Sequence, residues 1–117
     1  MAVTEGRQPQ LLRGVLDLCL LAILDEEETY GYELTRQLRD RGLSMVGGGS
    51  IYPLLGRLER NGLVVTRRLA GEGGPPRKYY SPSAEGRRAL AKGVAEWRAT
   101  RDAVDGLLGH VTVEVGG

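Results

Sequence analysis

Apolar residues recur at helical spacing in four segments of the chain, and two shorter segments have the composition of strands. The first apolar segment predicts a helix from about Pro9 to Asp25, because proline is tolerated in the first turn of a helix. Its apolar residues cover most of the helix circumference, which is more surface than one small domain can bury. We therefore expect Leu12 and Leu16 to contact a second subunit.

The second segment predicts a helix from Tyr30 to Arg41, with Thr29 as its N-cap and Gly42 at its end. Three apolar residues at positions i, i+4 and i+8 form its buried side. These are Tyr30, Leu34 and Leu38. The short apolar run from Leu43 to Val46 that follows is compatible with a small strand.

The third segment, from Gly47 to Gly62, predicts a helix of about three turns. Leu54, Leu55 and Leu58 share one side and are assigned to the core. Asn61-Gly62 is expected to end the helix in the left-handed conformation. The other faces carry Ser50, Tyr52, Pro53, Arg57 and Arg60. This pattern fits an ordinary amphipathic helix with a solvated face and equally a helix that enters the major groove of DNA.

A strand is predicted from Leu63 to Leu69, where β-branched residues cluster, and a second strand from Arg77 to Ser81. Between them, the glycines and prolines of Ala70 to Pro76 predict an exposed loop. The two strands would form a hairpin, or wing, with basic residues at its edges. A flexible linker is the alternative, and the strand signals on both sides argue against it.

The last apolar segment predicts a long helix that Ser83 caps, with Glu85 in its first turn, ending near Leu108. Six positions on one side are spaced 4, 3, 4, 3 and 4 residues apart, which is the seam of a coiled coil. Such a seam indicates a partner helix. Its residues are Leu90, Val94, Trp97, Arg101, Val104 and Leu108.

Composition restricts the class of protein. The chain has 117 residues, 41% of them apolar, which suits one globular domain. The apolar run from Leu11 to Leu24 is too short and too charged to cross a bilayer, and no cleavable leader is expected. The single Cys19 excludes a disulfide framework and is more consistent with a small core residue than with a redox sensor. We expect a cytoplasmic protein without metal or cofactor.

The small net charge hides an uneven distribution. Residues 36–78 contain nine basic and three acidic side chains, and the rest contains seven basic and twelve acidic ones. A basic middle suits a polyanion such as DNA if these cations share one face. The alternative is that they lie on separate solvated faces.

No catalytic pattern is present in the sequence. His110 is the single histidine and lies near the end of the chain, and no glycine-rich loop is followed by the Lys-Ser/Thr of a phosphate-binding loop. An enzyme is therefore not expected. The stronger rival to a DNA-binding protein is a winged helix used for protein–protein contact.

Three helices followed by a two-stranded wing is the order of a winged helix-turn-helix domain. Several motifs resemble the PadR-like transcriptional regulators, and their order and spacing match across residues 10–108. They are Thr29-Tyr30-Gly31-Tyr32-Glu33-Leu34, Ser50-Ile51-Tyr52-Pro53-Leu54-Leu55, Arg57-Leu58-Glu59, Gly62-Leu63, Arg77-Lys78-Tyr79-Tyr80 and Ser83-x-x-Gly86. The single long helix at the C-terminus is similar to the compact subgroup of this family.

The resemblance implies a mainly α fold with a small β-hairpin, divided into four segments. These are a flexible N-terminus (1–8), a winged helix-turn-helix DNA-binding domain (9–82), a C-terminal dimerisation helix (83–108) and a flexible tail (109–117). It implies a homodimeric regulator, a repressor by preference, on a pseudo-palindromic operator. The implied dimer interface comprises Leu12, Leu16, Leu90, Val94, Trp97, Val104 and Leu108.

The resemblance also implies which residues contact DNA. The helix from about Gly48 to Asn61 would enter the major groove, while the wing would meet the backbone or the minor groove. Tyr52 is alternatively a packed aromatic residue, and of Tyr79 and Tyr80 one would be core and the other would face DNA. The implied contacts are Tyr30, Gly48, Ser50, Tyr52, Pro53, Arg57, Arg77, Lys78 and Tyr79.

Trp97 has two interpretations. It is either an anchor of the dimer seam or, as in similar multidrug-sensing members, the stacking platform for a planar aromatic inducer between subunits. Arg101 and Asp17 would then supply polar groups to that ligand.

The main departure from the family is Gly48, where a proline is usual. Gly47 to Gly49 would order only on DNA, or the cap would shift to Ser50 and leave Pro53 in the first turn.

Overall fold

The computed structural model describes residues 14–44, 46–71 and 73–114, and within them the chain forms four helices and a three-stranded antiparallel sheet. The predicted fold class is confirmed. The predicted helix start at Pro9, the flexible segment 1–8 and Leu12 lie outside the described residues. The elements are α1 (Leu16–Glu26), β1 (Thr29–Tyr30), α2 (Gly31–Asp40), α3 (Gly48–Arg60), β2 (Val64–Gly71), β3 (Gly74–Pro82) and α4 (Ala84–Leu108).

The sheet has the order β1-β3-β2, and its first strand was not predicted. Thr29 pairs with Tyr80 and Tyr30 with Tyr79. The assignment of Thr29 as the N-cap of α2 was wrong, since Thr29 is a buried strand residue and Tyr30 is the N-cap, without a side-chain capping bond. Two residues are too few to show the alternation that marks a strand in sequence.

The core lies between the helices and the inner face of the sheet. Leu55 and Leu58 of α3 are buried as predicted, Leu54 is only half-buried, and the sequence analysis missed Ile51, which is fully buried. The buried apolar residues are Leu20, Leu21, Ile23, Leu24, Leu34, Leu38, Val46, Ile51, Leu55, Leu58, Val64 and Tyr80.

α3 begins at Gly48 in the chain alone, with Gly47 as an N-cap that has no side-chain bond. The predicted shift of the cap to Ser50 was therefore wrong, and Pro53 lies inside the helix rather than in the first turn. The proposed strand from Leu43 to Val46 was also wrong at residues 43, 44 and 46, which form turns. Buried Val46 packs into the core there without extended pairing.

α3 ends as predicted at Asn61-Gly62, although only Gly62 adopts the left-handed conformation, with φ +74°. The Gly62 amide donates to the Glu59 carbonyl (3.0 Å) and the Leu63 amide to the Leu58 carbonyl (2.9 Å). These two bonds form a Schellman motif, which satisfies carbonyls that the end of the helix would leave unpaired.

The wing is longer than predicted. β2 extends to Gly71 and β3 starts at Gly74, so the assignment of Gly74, Pro75 and Pro76 to the loop was wrong. β1 pairs only with the far half of β3, at Tyr79 and Tyr80. The start of β3 is therefore an edge on that side, where a proline removes no hydrogen bond from the ladder.

α4 has the predicted bounds, and the Ser83 side chain caps it. It packs against α1 where Gly93 meets Leu18. Beyond this contact, the predicted seam is open in the single chain, and Trp97, Val104 and Leu108 are exposed to 43%, 43% and 58%. Residues 109–114 are exposed and contain no helix or strand.

Candidate nucleic-acid interface

The outward face of α3 follows from its buried side. Ile51, Leu55 and Leu58 point into the core, and at 100° per residue the opposite face is centred on Arg60. The predicted contact residues Ser50, Tyr52, Pro53 and Arg57 are exposed, whereas Gly48 is half-buried. Arg60, which the sequence analysis did not assign to DNA, is the charged residue at the centre of the face. Gly49 and Pro53 share this exposed face, and the Arg60 guanidinium lies over Gly56.

Tyr52 combines the two roles that were considered for it. Its ring lies against Gly31, where a Cβ atom would come within 2.4 Å of the ring. The side chain is nevertheless 53% exposed. One part of Tyr52 therefore packs on the start of α2, while the rest is accessible beside α3.

Two of the predicted phosphate contacts are engaged by carboxylates. The Arg57 guanidinium lies 3.8 Å from Asp17 on α1. The Lys78 ammonium group donates to Glu59 at 2.8 Å, and the Thr66 hydroxyl also donates to this carboxylate (3.4 Å). The hydrogen bond from Lys78 lowers the pKa of Glu59 below its usual range. Glu59 thus connects α3 to both strands of the wing, a role that was not predicted because its charged partner Lys78 is 19 residues away on the other strand of the hairpin.

Arg77 lies on an aromatic platform on the outer face of the wing. Its guanidinium carbon is 4.5 Å from the centre of the Tyr30 ring, and that ring is 5.3 Å from the Tyr79 ring. No described carboxylate lies within 4 Å of Arg77. Stacking holds the guanidinium plane while its donors stay available. Tyr30 and Tyr79, both predicted DNA contacts, are therefore positioned to orient Arg77.

Tyr79 and Tyr80 point to opposite faces of the sheet, as their alternation predicted. Tyr80 is buried, and its burial raises the pKa of its phenol above the ordinary value. Arg68 pairs with Lys78 across the hairpin and so lies on the α3 side of the wing, opposite to Arg77. The wing presents cations on both faces.

The nine cations of residues 36–78 do not form one uninterrupted surface. Five of them have carboxylate partners: Arg36 with Glu33 and Asp40, Arg41 with Glu26, Arg57 with Asp17, Arg67 with Glu28, and Lys78 with Glu59. Among the described residues, no carboxylate lies within 4 Å of the other four. These are Arg39, Arg60, Arg68 and Arg77.

A second candidate site is a cavity of about 540 Å³ between α1 and α4. Asp17 and Trp97 line it together, as the ligand hypothesis predicted. Arg101, the third predicted ligand residue, does not line this cavity, and its guanidinium bonds to the neighbouring Asp102 at 3.0 Å. Leu63 and Glu96 also line the cavity and were not predicted to do so, because Leu63 follows α3 and Glu96 lies beside the predicted seam of α4.

Within the described ranges, no three His, Cys, Asp or Glu side chains are arranged to hold a metal ion. None of the helices described for this chain has the length and apolar character needed to cross a membrane.

Comparison with known proteins identifies relatives over most of the chain. The profile of the transcriptional regulator PadR-like family matches residues 20–92. A transcriptional regulator of Mycobacterium tuberculosis is 34% identical over 80 residues, which is 68% of this chain and 73% of that protein.

Solved structures agree with this assignment. A PadR-like transcriptional regulator from Bacillus cereus is 40% identical, with a TM-score of 0.78, over 85% of this chain and 96% of that one. A PadR family regulator from Eggerthella lenta is 38% identical, with a TM-score of 0.77, over 88% of each chain.

Proposed function

This chain belongs to the PadR-like family and is a DNA-binding transcriptional regulator rather than an enzyme, and we propose that it acts as a homodimeric repressor on a pseudo-palindromic operator. In this proposal α3 enters the major groove and the wing contacts the adjacent backbone or minor groove. Two copies of α3, related by a two-fold axis, would read half-sites about one helical turn apart or a multiple of it.

The observation that carries this proposal is the position of Arg77. The side chain is stacked on Tyr30 and has no described carboxylate partner, so a DNA phosphate would not have to displace an existing ion pair. Lys78, its neighbour in sequence, differs in this respect because it is bound to Glu59. A planar cation held in place loses little side-chain entropy when it binds an anion.

Dimerisation is supported by the open seam of α4. Trp97, Val104 and Leu108 are exposed on a helix of 25 residues, most of which extends beyond the sheet. Apolar residues at seam spacing are stabilised when a second helix covers them. Leu16 is half-buried and already packs against the core, so its predicted contact with a second subunit would use only its remaining surface.

The Arg77→Ala variant is expected to bind every DNA sequence more weakly than wild type does. Loss of one phosphate contact per protomer should reduce the slope of log K against log salt by about two units for a dimer. Binding to DNA from the region upstream of the gene is measured by fluorescence anisotropy. The salt concentration is varied between roughly 50 and 300 mM to determine the slope.

Lys78→Ala is the matched control, because its ammonium is already neutralised by Glu59 and its removal should change the slope less. An equal slope for Arg77→Ala and wild type would contradict the assignment of Arg77. Absence of any sequence-selective binding by wild type at low salt would instead favour the protein–protein module.

The regulatory part of the proposal is that a small planar aromatic molecule binds beside Trp97 and releases the operator. Support comes from the cavity between α1 and α4, which has the size of a small-molecule site and combines an indole with the Asp17 carboxylate. Trp97 can serve as interface anchor and ligand platform together if the cavity opens onto the seam. Arg101 has no part in this arrangement.

Planar aromatic cations are expected to quench the fluorescence of Trp97, which is the only indole in the chain. The Asp17→Asn variant should weaken binding of cations by roughly tenfold and leave neutral aromatics nearly unaffected, because only the cation gains from the carboxylate charge. The measurement is a fluorescence titration with a panel of cationic and neutral aromatic dyes. No quenching by any of them would leave Trp97 as an interface anchor alone.

A further inference from the structure

The Ser83-x-x-Gly86 motif lies where the end of α3 meets the start of α4. These two helices are separated in sequence by the whole wing, residues 64–82. In space, however, Gly62 and Leu63, which follow the C-cap of α3, contact the N-cap and the first turn of α4 directly. We call these four residues, Gly62, Leu63, Ser83 and Gly86, the α3–α4 joint.

Ser83 forms hydrogen bonds to α4 and to the two residues that follow the C-cap of α3. Its hydroxyl donates to the Gly62 carbonyl at 2.6 Å and accepts from the Gly86 amide at 3.0 Å. Its own amide donates to the Leu63 carbonyl at 3.0 Å. One residue thus caps α4 and also satisfies two carbonyls of the segment between α3 and β2.

Gly86 brings the two backbones together. A Cβ atom at this position would lie 1.9 Å from the Leu63 carbonyl oxygen, and Gly86 is the buried residue of α4. This approach is possible only for a residue without a side chain. The start of α4 is therefore pressed against the chain that leaves α3.

The α3 side of the joint is equally constrained. Gly62 and Leu63 are held to the last turn of α3 by the bonds of the Schellman motif, to Glu59 and Leu58. Leu63 also lines the cavity that contains Trp97. The start of α4 is thus connected to the end of α3 by short hydrogen bonds that do not involve the strands of the wing.

We propose that the α3–α4 joint sets the angle between the recognition helix and α4, and that Ser83 is the positioning residue that determines which half-site spacing the protein accepts. This inference rests on the proposed function, because spacing has a meaning only for two copies of α3 joined through α4. Half-sites one helical turn apart place each recognition helix about 17 Å from the dimer axis. A rotation of roughly 10° then moves α3 by about 3 Å, which is close to the rise of one base pair.

Three substitutions at Ser83 distinguish its hydrogen bond to Gly62 from the bond that caps α4. Ser83→Thr keeps both hydroxyl bonds, and Ser83→Ala removes both. Ser83→Asp keeps the capping bond from Gly86, but its carboxylate cannot donate to the Gly62 carbonyl. If positioning depends on the bond to Gly62, Asp should behave as Ala does in DNA recognition, although its capping bond makes it more stable than Ala.

The probe is a duplex selected in vitro by the wild-type protein, with the separation of its half-sites changed by one or two base pairs. Binding is measured by anisotropy at a temperature at which circular dichroism shows every variant folded. Wild type and Ser83→Thr are expected to lose roughly tenfold or more in affinity per inserted base pair. Ser83→Ala and Ser83→Asp are expected to show less than about threefold discrimination between the same duplexes.

Two results would overturn the inference while leaving the proposed function intact. One is an unchanged spacing preference in Ser83→Ala, with affinity lowered equally on all duplexes. The other is a wild-type preference in Ser83→Asp together with its loss in Ser83→Ala, since the cap alone would then explain the effect. A wild-type protein that binds no selected duplex, or ignores spacing altogether, would overturn the proposed dimer and the inference with it.

Discussion

Replacing Gly86 with Ala is expected to destabilise the protein by about 3 kcal/mol and to lower its melting temperature by more than about 10 °C. The added methyl group would lie 1.9 Å from the Leu63 carbonyl oxygen, which is a backbone atom and cannot turn away as a side chain can. Either α4 moves off the sheet or the end of α3 is distorted. Thermal denaturation at one fixed protein concentration measures the effect.

Two glycines on the same helix serve as matched controls. At Gly93 the new methyl group would lie 2.6 Å from the Leu18 Cδ1 atom, and that side chain can change rotamer, so a smaller loss is expected. At Gly106 no other part of the described chain lies within 4 Å of the new methyl group, and Ala should stabilise the helix by up to about 1 kcal/mol. A melting temperature of Gly86→Ala equal to that of Gly106→Ala would contradict the close approach of α4 to Leu63.

Replacing Leu55 with Ala is expected to destabilise the protein by about 2–5 kcal/mol. Leu55 is fully buried in the core between α3 and its neighbours, so its truncation leaves a cavity as well as losing apolar contact. Leu54, the adjacent residue, is only half-buried, and Leu54→Ala should lower stability by less than about 1.5 kcal/mol. Urea denaturation of the two variants compares them under the same conditions.

The pair also tests how α3 is rotated on the core. The spacing of apolar residues in the sequence assigns Leu54 and Leu55 equally to the core. In the structure Leu55 is fully buried together with Ile51, and Leu54 is only half-buried. Equal losses of stability in the two variants would indicate that α3 is rotated about its own axis relative to the described orientation, by a large part of the roughly 100° that separates successive residues. That rotation would move Pro53 and Arg60 away from the centre of the outward face.

Much of the fold could be predicted because helices are indicated by short-range patterns in the sequence. The periods of α2, α3 and α4, the Gly62 terminus and the Ser83 cap depend on residues within one or two turns of each other. The alternation of Tyr79 and Tyr80 is likewise a property of neighbouring residues. The motifs that resemble the PadR-like family extended these local signals to the order of the whole domain, and the family match confirms that order.

The candidate interface could be predicted only in part. Sequence identified the outward residues of α3 and the basic residues of the wing, but it assigned Arg57 and Lys78 to DNA without their partners Asp17 and Glu59. It assigned Tyr30 and Arg77 to DNA separately and did not predict that the Arg77 guanidinium lies over the Tyr30 ring. The pairing of these two cations depends on residues on other elements, far from Arg57 and Lys78 along the chain.

The sequence by itself therefore determined the identity and order of the helices, the Ser83 cap, the Gly62 terminus and the family to which the chain belongs, because these follow from short-range periodicity and steric preference. Only the tertiary structure decided that Thr29 joins the sheet, that Glu59 holds Lys78, that Tyr30 supports Arg77 and that Gly86 seats α4 on Leu63. Each of these is a contact between segments far apart in the chain. Their geometry is set by how the elements pack, and no local pattern in the amino-acid sequence encodes it.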